Sequence, residues 1–110
     1  VTAPVIAATE AHAALFNACV RSGDWTPFIA TFTEDARMTL TNMPARPYLG
    51  RAAIAALYAA QPPRGLMTVD EIVPLDDRTV RVRFTVASGR ASTMVVSWRG
   101  ELVCAVELTL

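Results

Sequence analysis

The sequence predicts an α+β domain in which helices come first and a curved antiparallel meander wraps around them. Three observations carry this expectation. Apolar residues recur at helical spacing as far as the double proline Pro62-Pro63, and from Leu66 onward they alternate with a period of two. Asp76-Asp77, Ser88-Gly89 and Gly100 cut that second half into strand-length segments with turn chemistry between them. The chain of 110 residues is 53% apolar, enough for one core and too short for two, so residues 1–110 read as one domain.

The elements run in order along the chain. Pro4 to Arg21 sets Leu15, Phe16, Cys19 and Val20 on one helical face among many alanines, and Ser22-Gly23 ends the run because glycine supplies a left-handed cap. Asp24 can cap a short second helix over Trp25 to Phe32, with Pro27 tolerated in its first turn. Thr33-Glu34-Asp35 turns the chain, Ala36 to Thr41 alternates as a strand, and the proline-punctuated loop NMPARPYLG closes at Gly50. RAAIAALYAAQ is a third helix with Ile54, Leu57 and Tyr58 on one face, stopped by Pro62-Pro63. Four strands remain: Leu66 to Pro74, Arg78 to Ala87, Ala91 to Arg99 and Glu101 to Leu110.

The second of these strands divides cleanly, with Val80, Val82, Phe84 and Val86 on one face and Arg81, Arg83 and Thr85 on the other. The last strand does not. Leu102, Cys104, Val106, Leu108 and Leu110 alternate against Val103, Ala105, Glu107 and Thr109, so both faces carry apolar residues. A strand apolar on both sides is covered on both sides, once by the helices and once by a second copy of the chain. That predicts a homodimer through the outer sheet face.

Charge and motif content exclude several functions. Ten basic and ten acidic residues balance to zero, and the basic ones, all arginine, are scattered, so no footprint for nucleic acid exists. Arginine without lysine, together with abundant alanine, points to a GC-rich bacterial genome. Cys19 and Cys104 lie in apolar patterns without metal-ligand spacing and read as reduced core residues of a cytoplasmic protein. The start VTAPVIAATEAH has no basic leader region and no apolar run able to span a bilayer, so no membrane partner is expected. With no glycine-rich phosphate loop, dinucleotide fingerprint or metal cluster, the chemistry left open needs no cofactor and no metal.

The pattern GDW-x6-FTEDARMTL, then LGRAAIAALYAA, then a terminal four-strand meander resembles the nuclear transport factor 2-like superfamily, in its ketosteroid isomerase-like and SnoaL-like polyketide cyclase-like branches. The resemblance spans nearly the whole chain. It implies a cystatin-like α+β barrel: a cone-shaped curved antiparallel sheet wrapped around three helices, an apolar pocket inside, and often a dimer through the outer sheet face. Fold alone does not name the reaction. The position where steroid isomerases keep a general-base Asp matches Leu40, their oxyanion-hole Tyr matches Phe16, and their hydrogen-bonding Asp matches Met94. Isomerisation by that route is therefore excluded. Tyr58, and Phe32 in place of a Tyr, match supporting pocket positions.

The resemblance also points Ala105, Glu107 and Thr109 into the cone. A carboxylate at Glu107, walled by Phe16, Met94, Phe84 and Leu40, would be desolvated and suited to acid or base work near neutral pH. Tyr58 could donate to a substrate oxygen, and His12, the one imidazole, lies a helical turn before Phe16 on the same face. Glu107, Tyr58 and His12 are thus the catalytic candidates, and Phe16, Phe32, Leu40, Phe84, Ser92, Met94 and Ala105 the expected substrate contacts. Plainer readings stand beside these. A one-residue slip in register would turn Glu107 to the rim or to an arginine, His12 could sit at the pocket mouth, and Tyr58 could simply pack.

Two functions remain open. One is a cofactor-free isomerase, cyclase or dehydratase acting on an apolar polyketide-, terpenoid- or steroid-like molecule. The other is a non-catalytic ligand-binding or dimerisation module that has lost the catalytic residues of its relatives.

Overall fold

The computed structural model describes residues 3–41 and 47–109. Three helices form, α1 (Ala3–Ser22), α2 (Thr26–Ile29) and α3 (Arg51–Ala60), with six strands: β1 (Phe32–Leu40), β2 (Tyr48–Leu49), β3 (Met67–Pro74), β4 (Thr79–Val86), β5 (Ala91–Arg99) and β6 (Leu102–Thr109). All strands join one sheet in the order β2-β1-β6-β5-β4-β3. β3 to β6 form the expected antiparallel meander, but β1 runs parallel to β6. The sheet is thus mixed rather than wholly antiparallel, and it stays open between β2 and β3 rather than closing into a barrel.

Local chemistry explains the helix ends. Gly23, at φ 76°, takes the left-handed turn after α1 while its N–H donates to the Cys19 carbonyl at 2.8 Å. The Asp24 carboxylate accepts the Thr26 N–H at 3.0 Å and so starts α2, whose first turn holds Pro27. α2 is shorter than the Trp25 to Phe32 span expected, because the sheet claims the residues after it: the Val103 N–H donates to the Thr31 carbonyl at 2.8 Å. Thr33, Glu34 and Asp35 lie within β1 rather than in a turn. They form an irregular segment there, since Phe32 aligns with Val103 and Arg37 already with Ala105. Tyr48–Leu49, expected as loop, pairs with β1 as a short edge strand; the rest of that loop, 42–46, and Leu110 lie outside the described residues.

The decisive departure is in β6. Ser97 pairs with Ala105 and Trp98 with Val103, which leaves Cys104 as an extra, unpaired residue. Val103 faces the core and is fully buried, as its phase in the sequence implied. Beyond Cys104 every facing reverses. Val106 and Leu108 point inward, while Ala105, Glu107 and Thr109 lie on the outer face, with Glu107 between Val95 of β5 and Thr39 of β1. The expected inward direction of Ala105, Glu107 and Thr109 is therefore corrected. The apolar outer stripe that motivated the homodimer loses Val106 and Leu108 with it.

The core is the layer between the inner sheet face and the helices. Val80, Val82, Phe84, Val96 and Val103 from the sheet belong to one core with Ile54 of α3, Cys19 of α1, Phe28 of α2 and Trp25 just before it. Arg81 and Arg83 are exposed, as alternation predicted, and so are Arg90 and Arg99; Arg83 pairs with Glu71 at 3.3 Å. Thr9 and Asn17 are two of the polar residues that tie α1 down. The Trp98 indole N–H donates to Thr9 Oγ1 at 3.2 Å, and the half-buried Asn17 clamps Met67. The Asn17 side-chain amide donates to the Met67 carbonyl and its oxygen accepts the Met67 N–H, both at 2.8 Å.

Replacing Asn17 by Ala leaves both backbone groups of a buried residue unpaired, an expected loss of about 2 kcal/mol in urea unfolding. Glu107→Gln, on the outer face, is expected to stay within about 0.5 kcal/mol of the parent in the same assay.

Candidate functional site

The space between sheet and helices is not filled. A partly enclosed cavity of about 320 Å³ remains, at the lower end of small-molecule sites. The helical side of its wall is aromatic: His12 and Phe16 from α1, Phe28 from α2 and Tyr58 from α3. The sheet side is aliphatic and thioether, with Met94 and Val96 of β5 beside Val106 and Leu108 of β6. Phe32, Met38, Pro63, Met67, Phe84 and Val86 complete it. β4, β5 and β6 each contribute alternate residues, and the aromatic side exists because Trp25, Phe28 and Phe32 bring their rings onto His12 and Phe16 of α1 and Tyr58 of α3.

Of the candidates read from the sequence, the structure brings His12, Phe16, Phe32, Tyr58, Phe84 and Met94 together around this cavity. Leu40 is buried but lies off the cavity wall. Ser92 is buried on the inner sheet face beside Phe84, with its hydroxyl oxygen unpartnered, and also lies off the wall. Ala105 and Glu107 point away from it, so no carboxylate of the described residues lines the cavity. Phe28 was missed because its helix was read only for its caps; its spacing from Trp25 and Phe32 was the available signal. Val106 and Leu108 were missed through the bulge.

His12 is the best-defined polar group of the wall. Its ring stacks on Phe28 with centroids 4.7 Å apart and meets the edges of Phe32 and Trp98 at 5.9 and 5.6 Å. Nε2 lies 2.9 Å from the Thr31 hydroxyl oxygen. Burial in this aromatic box lowers its pKa to about 4, so the ring is neutral at pH 7 and a weak base. Tyr58 packs against Trp25 and Phe28 at 5.0 and 5.4 Å, and burial holds its phenol well above the usual value. It stays protonated and able to donate.

The sequence pattern of the SnoaL-like domain matches residues 13–106. The chain belongs to the SnoaL-like domain family. Solved structures place this SnoaL-like domain in the same fold at low identity. A candidate isomerase from Bacillus subtilis superposes with a TM-score of 0.77 at 17% identity, covering 94% of this chain and 86% of that one. A Mycobacterium tuberculosis protein solved in complex with estradiol-17β-hemisuccinate gives 0.71 at 15% identity, covering 96% and 92%. A candidate polyketide cyclase from Xanthomonas campestris pv. campestris gives 0.67 at 16%, covering 94% and 90%. No curated protein matches the sequence significantly. Among the described residues of the SnoaL-like domain no His, Cys, Asp and Glu cluster could hold a metal, and no helix is long and apolar enough to cross a membrane.

The buried imidazole makes stability depend on pH. Unfolded, His12 titrates near 6.5; folded, near 4. Between these values the unfolded state binds the extra proton, so stability is complete above pH 6.5 and falls as pH drops toward 4, by about 3 kcal/mol in all. Urea unfolding at pH 7 and 4.5 is expected to show a loss about 2 kcal/mol larger in the parent than in His12→Phe.

Proposed function

We propose that this protein binds an apolar small molecule of polyketide, terpenoid or steroid type in the cavity beneath its sheet and promotes its isomerisation or cyclisation without a cofactor. The observation that carries this reading is the cavity itself: about 320 Å³ of apolar space whose titratable wall groups are His12 and Tyr58. Membership of the SnoaL-like family supports it, as do structural relatives described as a candidate polyketide cyclase, a candidate isomerase and a complex with a steroid conjugate.

With Glu107 outside, proton transfer by a carboxylate is not part of the mechanism. What the wall can do is confine a flexible substrate in a folded conformer, which turns an entropically costly ring closure into a near-unimolecular step. The Tyr58 hydroxyl, un-ionised and facing apolar surroundings, can donate to an oxygen on which charge develops. The outward Glu107 also favours a second reading, a carrier that binds the same ligands and changes nothing.

Titration with 2-ethylnaphthalene, an apolar probe without polar groups, is expected to give saturable binding at about 1 mM or tighter by amide chemical shifts of the wall residues. Met94→Trp, which fills the cavity, is expected to abolish it in a variant shown folded by circular dichroism. Absence of saturable binding to the parent protein would reject the ligand-binding reading. Once a substrate is found, Tyr58→Phe lowering kcat about a hundredfold supports catalysis, and unchanged turnover supports the carrier.

A further inference from the structure

We infer that the cavity takes a neutral ligand bearing a hydroxyl group, and that this hydroxyl donates its hydrogen to Nδ1 of His12; the inference rests on the ligand-binding reading above.

A chain of hydrogen bonds fixes the tautomer. The Phe28 carbonyl can only accept, so the Thr31 hydroxyl, 2.6 Å away, directs its single hydrogen there. Thr31 Oγ1 then accepts from His12 at 2.9 Å, which puts the ring hydrogen of the neutral imidazole on Nε2 and a lone pair on Nδ1. Turning the ring over would break the bond to Thr31, and the face of Phe28 and the edges of Phe32 and Trp98 hold its plane. Nδ1 makes no hydrogen bond to the described residues, yet it is not among the sealed polar side-chain atoms without partners, which are Thr33 Oγ1 and Ser92 Oγ. His12 lines the cavity, so the open side of that nitrogen is assigned to it.

A lone pair facing apolar space calls for a donor. A hydroxyl supplies one; an ether or ketone oxygen would set lone pair against lone pair. Charge narrows the class further. No arginine and no carboxylate of the described residues lines the cavity, so an anion or an ammonium ion would enter without a counter-ion and lose its hydration. Alcohols and phenols on an apolar skeleton remain, and the Tyr58 hydroxyl is the group available to a second oxygen.

Three probes on one skeleton test this at pH 7 by amide chemical-shift titration: 2-naphthol, 2-methoxynaphthalene and naphthalene-2-carboxylate. The naphthol is expected to bind about tenfold more tightly than its methyl ether, and the carboxylate more weakly than either. His12→Phe is expected to abolish the preference for the naphthol, so that naphthol and ether bind that variant within about twofold of each other. Thr31→Val, which keeps the imidazole but frees its tautomer, shrinks the same preference and serves if His12→Phe does not fold. Equal binding of naphthol and ether to the parent, a preference that survives both substitutions, or tighter binding of the carboxylate overturns this inference alone. Failure of both neutral probes overturns the ligand-binding reading and this one with it.

Discussion

The bulge at Cys104 governs the site because strand facing has a period of two, so one extra residue reverses everything beyond it. Upstream, Val103 joins the core against Trp98; downstream, Val106 and Leu108 line the cavity while Glu107 meets water. The irregular stretch of β1 lies at the same level, between Phe32 and Arg37, so the parallel neighbour yields where β6 does. The Cys104 thiol, half-buried, donates to the Ser97 carbonyl at 3.4 Å, a weak bond within the distorted pair. A regular β6 would have placed a carboxylate in an apolar chamber. The bulge exchanges it for a valine and a leucine, and so leaves His12 and Tyr58 as the titratable groups of the wall among the described residues.

An unfilled apolar chamber forfeits dispersion contacts that a close-packed interior would make, and it lowers stability unless a guest restores them. Here the surrounding shell is closely packed. Phe28 touches His12, Phe16, Trp25, Phe32 and Tyr58 through ring contacts of 4.7 to 5.7 Å, and Ile54 is fully buried behind them. That aromatic hub also holds the two polar groups in place. The His12 ring of α1 lies flat on it and Tyr58 of α3 is tilted against it, so neither can swing without unpacking its helix from Phe28.

Much of this arrangement was legible from the residues. Gly23, Asp24 and Pro62-Pro63 marked helix ends, the alternation of β4 sent its valines inward and its arginines out, and His12, Phe16 and Tyr58 were placed at one site by helical spacing and family resemblance. What stayed hidden was non-local. A bulge has no residue signature of its own; its trace was a last strand apolar on both faces, which equally suits a subunit contact. The parallel pairing of β1 with β6 and the β2 edge strand depend on segments far apart in the chain, and no local pattern encodes them.

Asn17 carries a consequence for how the protein behaves among its neighbours. β3 is the last strand of an open sheet, the kind of border on which a foreign strand can align and propagate. By offering one donor and one acceptor to Met67, the carboxamide imitates the peptide group of an adjoining chain and occupies the first rung of that border. A single side chain on α1 thereby caps the ladder where it begins, guarding the fold against self-templated stacking.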